Sequence, residues 1–461
     1  MKRILYPLIF LFFSTAIFAQ EYDHKKIDLV GHWQKEGIRF SSCWGYEQNG
    51  RSYAIVGGED GTYIVDITDS SDFHQVGFVS SPIKTAIWRE YKTYQNYLYA
   101  ISDDNGPNVF QIIDLSFLPD SVHTVYQGDD LFKRGHTIFR DRDRLYIGLR
   151  RKVSGFNGMS VFDIAADPTK PKEIRSVEDD NIQANAHDMF ARNDTIYASC
   201  GFDGLRVLVL EDNKFRQIGS YTNYPFAGYN HSSILSPNGK YLIFTDEVPQ
   251  NLPAKCIDVT DPANPVAVDT FYSQSGKATL HNPFLLDSRF FVMASYKDGV
   301  QVFDYSDPTN IKVAGYFDTY NQQDGSDTDG DYDGVWSTYP WLSDGRVIAV
   351  DMTNGLFVLN PAEALKVDST NRIAINPLAE RIVTSPNPAA ESFTFQVNNS
   401  MTGLAAMSLV NMDGMIVRSW NQQLTAGTHV KVETLDLAGG NYIFTIKSKE
   451  HSYSARINIS R

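Results

Sequence analysis

From residue 26 to residue 360, short runs rich in Ile, Val, Leu, Tyr and Phe are separated by Asn, Asp and Gly, and apolar and polar positions alternate with a period of two. That period, bounded by turn formers, predicts β-strands rather than helices. One phrase returns at the same place in every stretch: GTYIVDI (61 to 67), VFQIIDLS (109 to 116), GMSVFDI (158 to 164), GLRVLVL (204 to 210), AKCIDVTDPANP (254 to 265), GVQVFDYSDP (299 to 308) and GLFVLNP (355 to 361). Its polar end position falls at Asp66, Asp114, Asp163, Asp258, Asp304 and Asn360, with Val209 in the fourth slot, at spacings of 46 to 56 residues. Repeats of that size in strand-like sequence predict propeller blades.

Each unit reads as four strands. The fourth shows the order: an opening segment at 187 to 190, a turn at 192 to 194, strands at 195 to 199 and 205 to 210, and a last strand at 215 to 221. After Asn360 the seventh unit has no fourth strand of its own, whereas residues 26 to 33 look like the fourth-strand segments 74 to 79 and 312 to 317. Pairing of 26 to 33 with the seventh unit would close the ring and remove its open edge. The expected fold is all-β: a seven-bladed β-propeller over 24 to 362 closed by an N-terminal strand, a linker at 363 to 380, and a small C-terminal β-sandwich at 381 to 461. The C-terminal assignment follows from short alternating strands with Asp-Gly and Gly-Gly turns.

Composition narrows the setting. Residues 1 to 20 combine Lys2 and Arg3 with an apolar run from Ile4 to Phe13 and small residues near Ala19, the layout of a secretory signal peptide. The run is too short for a permanent transmembrane anchor, and the mature chain is expected to have no transmembrane segment. Three cysteines, Cys43, Cys200 and Cys256, allow at most one internal disulfide, and Cys200 and Cys256 sit in strands where a buried thiol is expected. A net charge of −14 disfavours nucleic acid and anionic membrane as partners. No GxSxG, HExxH or phosphate-binding glycine loop occurs.

Aligning the opening positions of the first strands gives Trp44, Trp88, His136, His187, His231, His281 and Trp336. First strands lie nearest a propeller's axis, so these residues are expected around one mouth of the central channel, with Arg89, Asp188, Asp246, Glu247 and Asn282 completing the candidate ligand-binding set. Two readings stand. The histidines hold a divalent metal or a polar ligand, or each imidazole bonds across to an adjacent blade and pins the ring. Separately, Asp327, Asp329, Asp331 and Asp333 form an acidic, glycine-punctuated loop that suits Ca²⁺, although Pro340 stands where an EF-hand needs Glu. Ca²⁺ or another divalent metal is thus the cofactor to be considered, and no catalytic residue is assigned. A binding module is favoured over an enzyme; the alternative is a metal-assisted hydrolase or lyase using the histidines.

Segments 44 to 67, 87 to 103, 135 to 148, 280 to 304 and 316 to 359 resemble the choice-of-anchor B proteins, which carry LVIVD-type repeats. The likeness runs from about residue 24 to residue 362 and implies a secreted or surface-exposed propeller, in a family without a generally known activity; the expectation of an extracellular ligand rests on the channel-mouth residues instead. The fourth repeat departs from the pattern, ending in Val and Leu without the usual Asp. Residues 385 to 390, 411 to 417, 437 to 446 and 454 to 459 resemble the C-terminal sorting domain of type IX secretion, found in Bacteroidota, with Arg456 where Lys is common. That likeness implies the type IX secretion machinery as a partner and a secreted or outer-membrane-surface address.

Overall fold

The computed structural model describes residues 22–104, 110–152, 155–156, 158–320, 332–366, 380–411, 416–435, 437–448 and 452–460. The expected signal peptide and most of the expected linker lie outside them.

Seven antiparallel sheets take their strands in chain order. The first holds Phe40–Gln48, Arg51–Gly58, Gly61–Asp66 and His74–Ser80; the second Arg89–Tyr94, Tyr97–Ser102, Phe110–Asp114 and His123–Gly128. The third holds Thr137–Asp141, Arg144–Gly148, Met159–Asp163 and Lys172–Ser176; the fourth Asp188–Arg192, Thr195–Ser199, Leu205–Glu211 and Lys214–Tyr221. The fifth follows with Asn230–Leu235, Tyr241–Asp246, Ala254–Asp258 and Val266–Phe271, the sixth with Pro283–Leu285, Phe290–Ala294, Val300–Asp304 and Lys312–Phe317. The seventh contributes Val335–Tyr339, Val347–Asp351 and Gly355–Asn360.

Local sequence explains the hairpins. Asn49-Gly50, Asn193-Asp194 and Asp212-Asn213 all have positive φ and join directly paired strands, the two-residue turn whose twist suits a hairpin. The repeated phrase is the third strand of each sheet, and its polar end residue closes a turn on its own backbone. Asp66, Asp114, Asp163, Asp258 and Asp304 accept the amide two residues on, from Thr68, Ser116, Ala165, Thr260 and Ser306, and Asn360 does the same for Ala362. The fourth sheet has no such residue because its chain turns through Asp212-Asn213 instead.

The seventh sheet gains its fourth strand from Asp28–Trp33, in register Asp28 to Asn360 and Trp33 to Leu356. Every outer strand pair is interrupted by a bulge, and the one in this pair lies between Leu29 and Gly31. Bulges raise twist, so the borrowed strand matches its six counterparts in shape as well as position. Gly31 lets the Phe73 ring close over the bulge: a Cβ there would lie 2.4 Å from that ring and push it aside. The N-terminal segment does not act as one strand, however. Lys26 adopts a φ of 60° and breaks it, so that His24–Lys25 pairs with Lys312–Phe317 as a fifth strand of the sixth sheet.

Hydrophobic clusters fill the spaces between successive sheets. Ile101 and Ile112 of the second meet Ile138 and Phe162 of the third, and the series continues to Val292 and Val302 of the sixth against Val347 and Phe357 of the seventh. Leu356 and Val358 of the seventh then meet Val56 and Val65 of the first, so the circuit returns to its start. Both faces of a sheet are buried this way: Ala54 and Val56 face the seventh sheet, while Tyr53 and Ile55 face the second. Each face is worth roughly 25 cal/mol per Å² of apolar surface removed from water. Cys43, Cys200 and Cys256 are all buried and outside any disulfide, Cys43 and Cys256 in strands and Cys200, expected in one, just past the end of Thr195–Ser199; burial pushes each thiol up to about 12.

Residues 380–460 form two further sheets around one core that includes Phe393, Phe395, Met407, Leu409, Phe444, Tyr453 and Ile457. Arg456 leaves this unit to donate from Nη2 to the Pro340 carbonyl at 2.7 Å, and Asn441 bonds the Trp341 carbonyl. Among the described residues no helix is long and apolar enough to cross a membrane.

Candidate functional site

The backbone places the histidines at one level. His136 and His187 immediately precede their first strands and His281 lies two residues before its own, and their amides donate to Gly148, Ser199 and Ala294 at the end of the second strand of their own sheets. His231 holds the matching position in Asn230–Leu235. Side chains at this level meet in a row. Ring centroids lie 4.1 Å apart from His136 to His187, 4.5 Å from His187 to His231 and 4.3 Å from His231 to His281. The row continues to Trp336 at 5.1 Å and from there to Trp88 at 6.5 Å.

What each imidazole touches differs along the row. His136 Nδ1 is 2.9 Å from an Asp103 oxygen, and Arg134 Nε lies 3.2 Å from the other oxygen of that carboxylate. Burial works against a charged His136, but the Asp103 hydrogen bond and charge outweigh it and raise its pKa above the usual histidine range. His187 Nδ1 makes a long bond of 3.4 Å to the His231 carbonyl, and His281 Nδ1 a short one of 2.6 Å to that of Trp336. A carbonyl only accepts, so in both rings Nδ1 carries the proton and Nε2 keeps the lone pair. Burial first, and then a neighbouring histidine, depress these groups: His187 falls well below the usual range, and His231 and His281 fall to about 3. In neutral water they are uncharged.

Glu247 completes the cluster. Its Oε2 lies 3.7 Å from His231 Nε2, and its Oε1 lies 3.8 Å from His281 Nε2 while accepting the Tyr296 hydroxyl at 2.9 Å. One donor atom from each of His187, His231 and Glu247 falls within 4.8 Å of the others, a spacing that suits a metal ion. Glu247 is 16% exposed, so this end communicates with solvent.

The remaining expected site residues divide between other tasks. Asp246 points the other way along its strand; it is buried, accepts from Tyr224 at 2.8 Å and pairs with Lys255 at 2.5 Å. Arg89 is buried too, donating from Nε to the Gly58 carbonyl at 2.8 Å and so tying the second sheet to the first. Trp44 does not join the histidine row. The register of the first sheet, with its bulge between Phe40 and Cys43, matches that of the fifth between Asn230 and Ser233, which puts Ser41 at the histidine level and Trp44 three residues farther along. Trp44 instead packs against Tyr339 and Trp341 at 5.0 and 5.7 Å.

The level of Trp44 borders a space of its own. A cavity of about 60 Å³, room for a few water molecules, is lined by Trp44, Glu90, Lys92, Asp188, Asn282 and Trp341 among others. Asp188 therefore faces away from His187, its neighbour in sequence; burial first, and then the Glu90 charge, raise it to about 7. Glu90 is also raised by burial and accepts the Ile138 amide at 3.0 Å, while the Lys92 amine sits 4.3 Å above the Trp44 ring. Sequence reasoning passed over Glu90 and Lys92 because alternating charges on a strand read as a solvated face. It also passed over Tyr229, whose ring meets His187 edge-on at 5.2 Å. Of the acidic loop, Asp327, Asp329 and Asp331 lie outside the described residues; Asp333 is 3.9 Å from Arg39.

The geometry defines an all-β chain with a histidine-rich centre, followed by a separate β-unit. That last unit is where a known family enters: residues 385–460 match the secretion system C-terminal sorting domain. No curated protein matches the chain. The sorting domain implies engagement of the type IX secretion machinery, and the protein is secreted or displayed at the cell surface.

Proposed function

We propose that residues 24 to 362 are a seven-bladed β-propeller of the choice-of-anchor B kind, acting outside the cell as a binding module that takes its ligand at the histidine end. In support of the architecture stand the circuit of intersheet clusters, the recurring outer-strand bulge and the borrowed fourth strand. One observation carries the function: neutral, buried imidazoles and Glu247 converge with Trp336, Trp88 and Tyr296 at the end reached by solvent. Convergent polar groups on an aromatic wall are what a ligand site requires. The mature chain, screened against glycans and peptides with and without EDTA, should give hits that weaken in His187→Ala and Glu247→Gln; hits unchanged in both variants would refute this site. A metal-assisted hydrolase or lyase is the second reading, favoured by the donor spacing of His187, His231 and Glu247. Metal-dependent turnover on the same glycans and peptides would decide for it.

A further inference from the structure

We propose that His187, His231 and Glu247, with His281 as a fourth donor, form a binding site for a divalent transition metal of the zinc class; this rests on the reading of the histidine end as the ligand-binding end. A purely structural role requires each imidazole to hold a neighbouring sheet, and His187, His281 and His136 do reach a carbonyl or a carboxylate. His231 does not. It is 4% exposed, its Nδ1 has no hydrogen-bond partner among the described residues, and its Nε2 is 3.7 Å from Glu247, beyond hydrogen-bonding length. A buried polar ring left without partners is destabilising and calls for a ligand or some other compensation.

The surroundings are those of a metal ligand set. His187 and His281 hand their Nδ1 protons to backbone carbonyls, the arrangement by which metal-binding histidines are oriented with Nε2 free for the ion. Tyr296 holds Glu247 in the same way. Bonds of about 2.0–2.1 Å in a tetrahedral site put donors roughly 3.3 Å apart. The present separations of 3.7 and 3.8 Å around Glu247 need a small contraction, which its partly exposed side chain can supply, and the set with His187, now within 4.8 Å, closes further around an ion. Imidazole with a single carboxylate favours Zn²⁺, Co²⁺, Ni²⁺ or Cu²⁺ over Ca²⁺ and Mg²⁺, which take mostly oxygen.

The test uses mature chain without a polyhistidine tag, stripped with chelator and titrated with Zn²⁺ by calorimetry and with Co²⁺ by visible absorption. Binding of about one equivalent is expected, with cobalt bands of four- or five-coordinate geometry and a raised melting temperature on adding Zn²⁺. His231→Ala and the near-isosteric Glu247→Gln should each weaken binding by at least about 100-fold. The cobalt spectrum of the unaltered chain is independent of any variant's folding, and a featureless spectrum with no heat of Zn²⁺ binding would overturn the proposal. Glycan or peptide hits sensitive to His187→Ala would then leave the binding reading standing. Stoichiometric Zn²⁺ with hits unaffected by His187→Ala would instead keep the metal site and remove the binding reading.

Discussion

Two sets of polar residues recur with the same period, and they behave in opposite ways. The aspartates that end the third strands each close on an amide two residues away within their own sheet. The histidines that open the first strands reach out of their sheets, toward a neighbour's carbonyl or toward Glu247, and their rings touch one another. Recurrence at equivalent positions therefore says only that a residue belongs to the repeating unit. Reach separates local turn chemistry from a shared centre, and the contrast repeats on a smaller scale between adjacent Asp246 and Glu247, one bonded within its sheet and the other facing the histidines.

Breaking the inward-facing member of that last pair should have the largest effect on stability. Asp246→Ala leaves the Lys255 ammonium buried without its partner, and urea denaturation should show a loss of about 3–5 kcal/mol. The second test uses acid, which acts on the two sets in different windows. His231 and His281 sit far below their ordinary 6.5, so below that pH the unfolded chain takes up protons that the folded chain refuses. These two rings should therefore cost the metal-free protein at most about 1.4 kcal/mol per pH unit per group as pH drops from about 6.5 toward 3, while Asp188 and His136, both raised, act in the opposite direction over part of that window. Asp66, Asp114 and Asp258 are held below their ordinary 3.8, Asp258 chiefly by the Thr260 hydrogen bonds and the other two by turn bonds that overcome burial. Their contribution is complete above that value and disappears only as pH falls through their folded values. Lowering the pH from 7 to 5.5 should thus cost the unaltered chain more of its urea stability than it costs His231→Gln, in which the other groups are unchanged. The smallest effect belongs to Asp114→Ala, which gives up bonds to the Ser116 amide at 2.8 Å and Asn96 at 2.7 Å. It should cost about 1–2 kcal/mol and leave the pH 7 to 5.5 difference unchanged.

Strands and their order were legible because turn chemistry and alternation agree in each unit, and the common level of four histidines followed from spacing alone. Trp44 was misplaced because the residue that matches the histidines in the first sheet is Ser41, which has no ring to mark the position, and the aromatic residue three places along was taken for its equivalent. The double use of the N-terminus was hidden because a two-residue strand such as His24–Lys25 leaves no periodic trace. Alternation was in fact read too simply: in the second strand of the first sheet both faces are apolar, since each packs on a different neighbour. Hydrogen bonds that fix the imidazole tautomers involve backbone carbonyls, which every residue possesses, so no sequence pattern could announce them.

The strand borrowed by the seventh sheet also sets a schedule. Asp28–Trp33 is made early in synthesis and has no sheet to join until Gly355–Asn360 exists, so the circuit can be completed only after nearly the whole repeat region has been produced. Contacts so distant along the chain are slow to form. Until they form, the third strand of the seventh sheet presents an unpaired edge open to other chains. A chain released before Asn360 would keep six complete sheets and still lack its clasp, making the earliest-made strand the last to find its place.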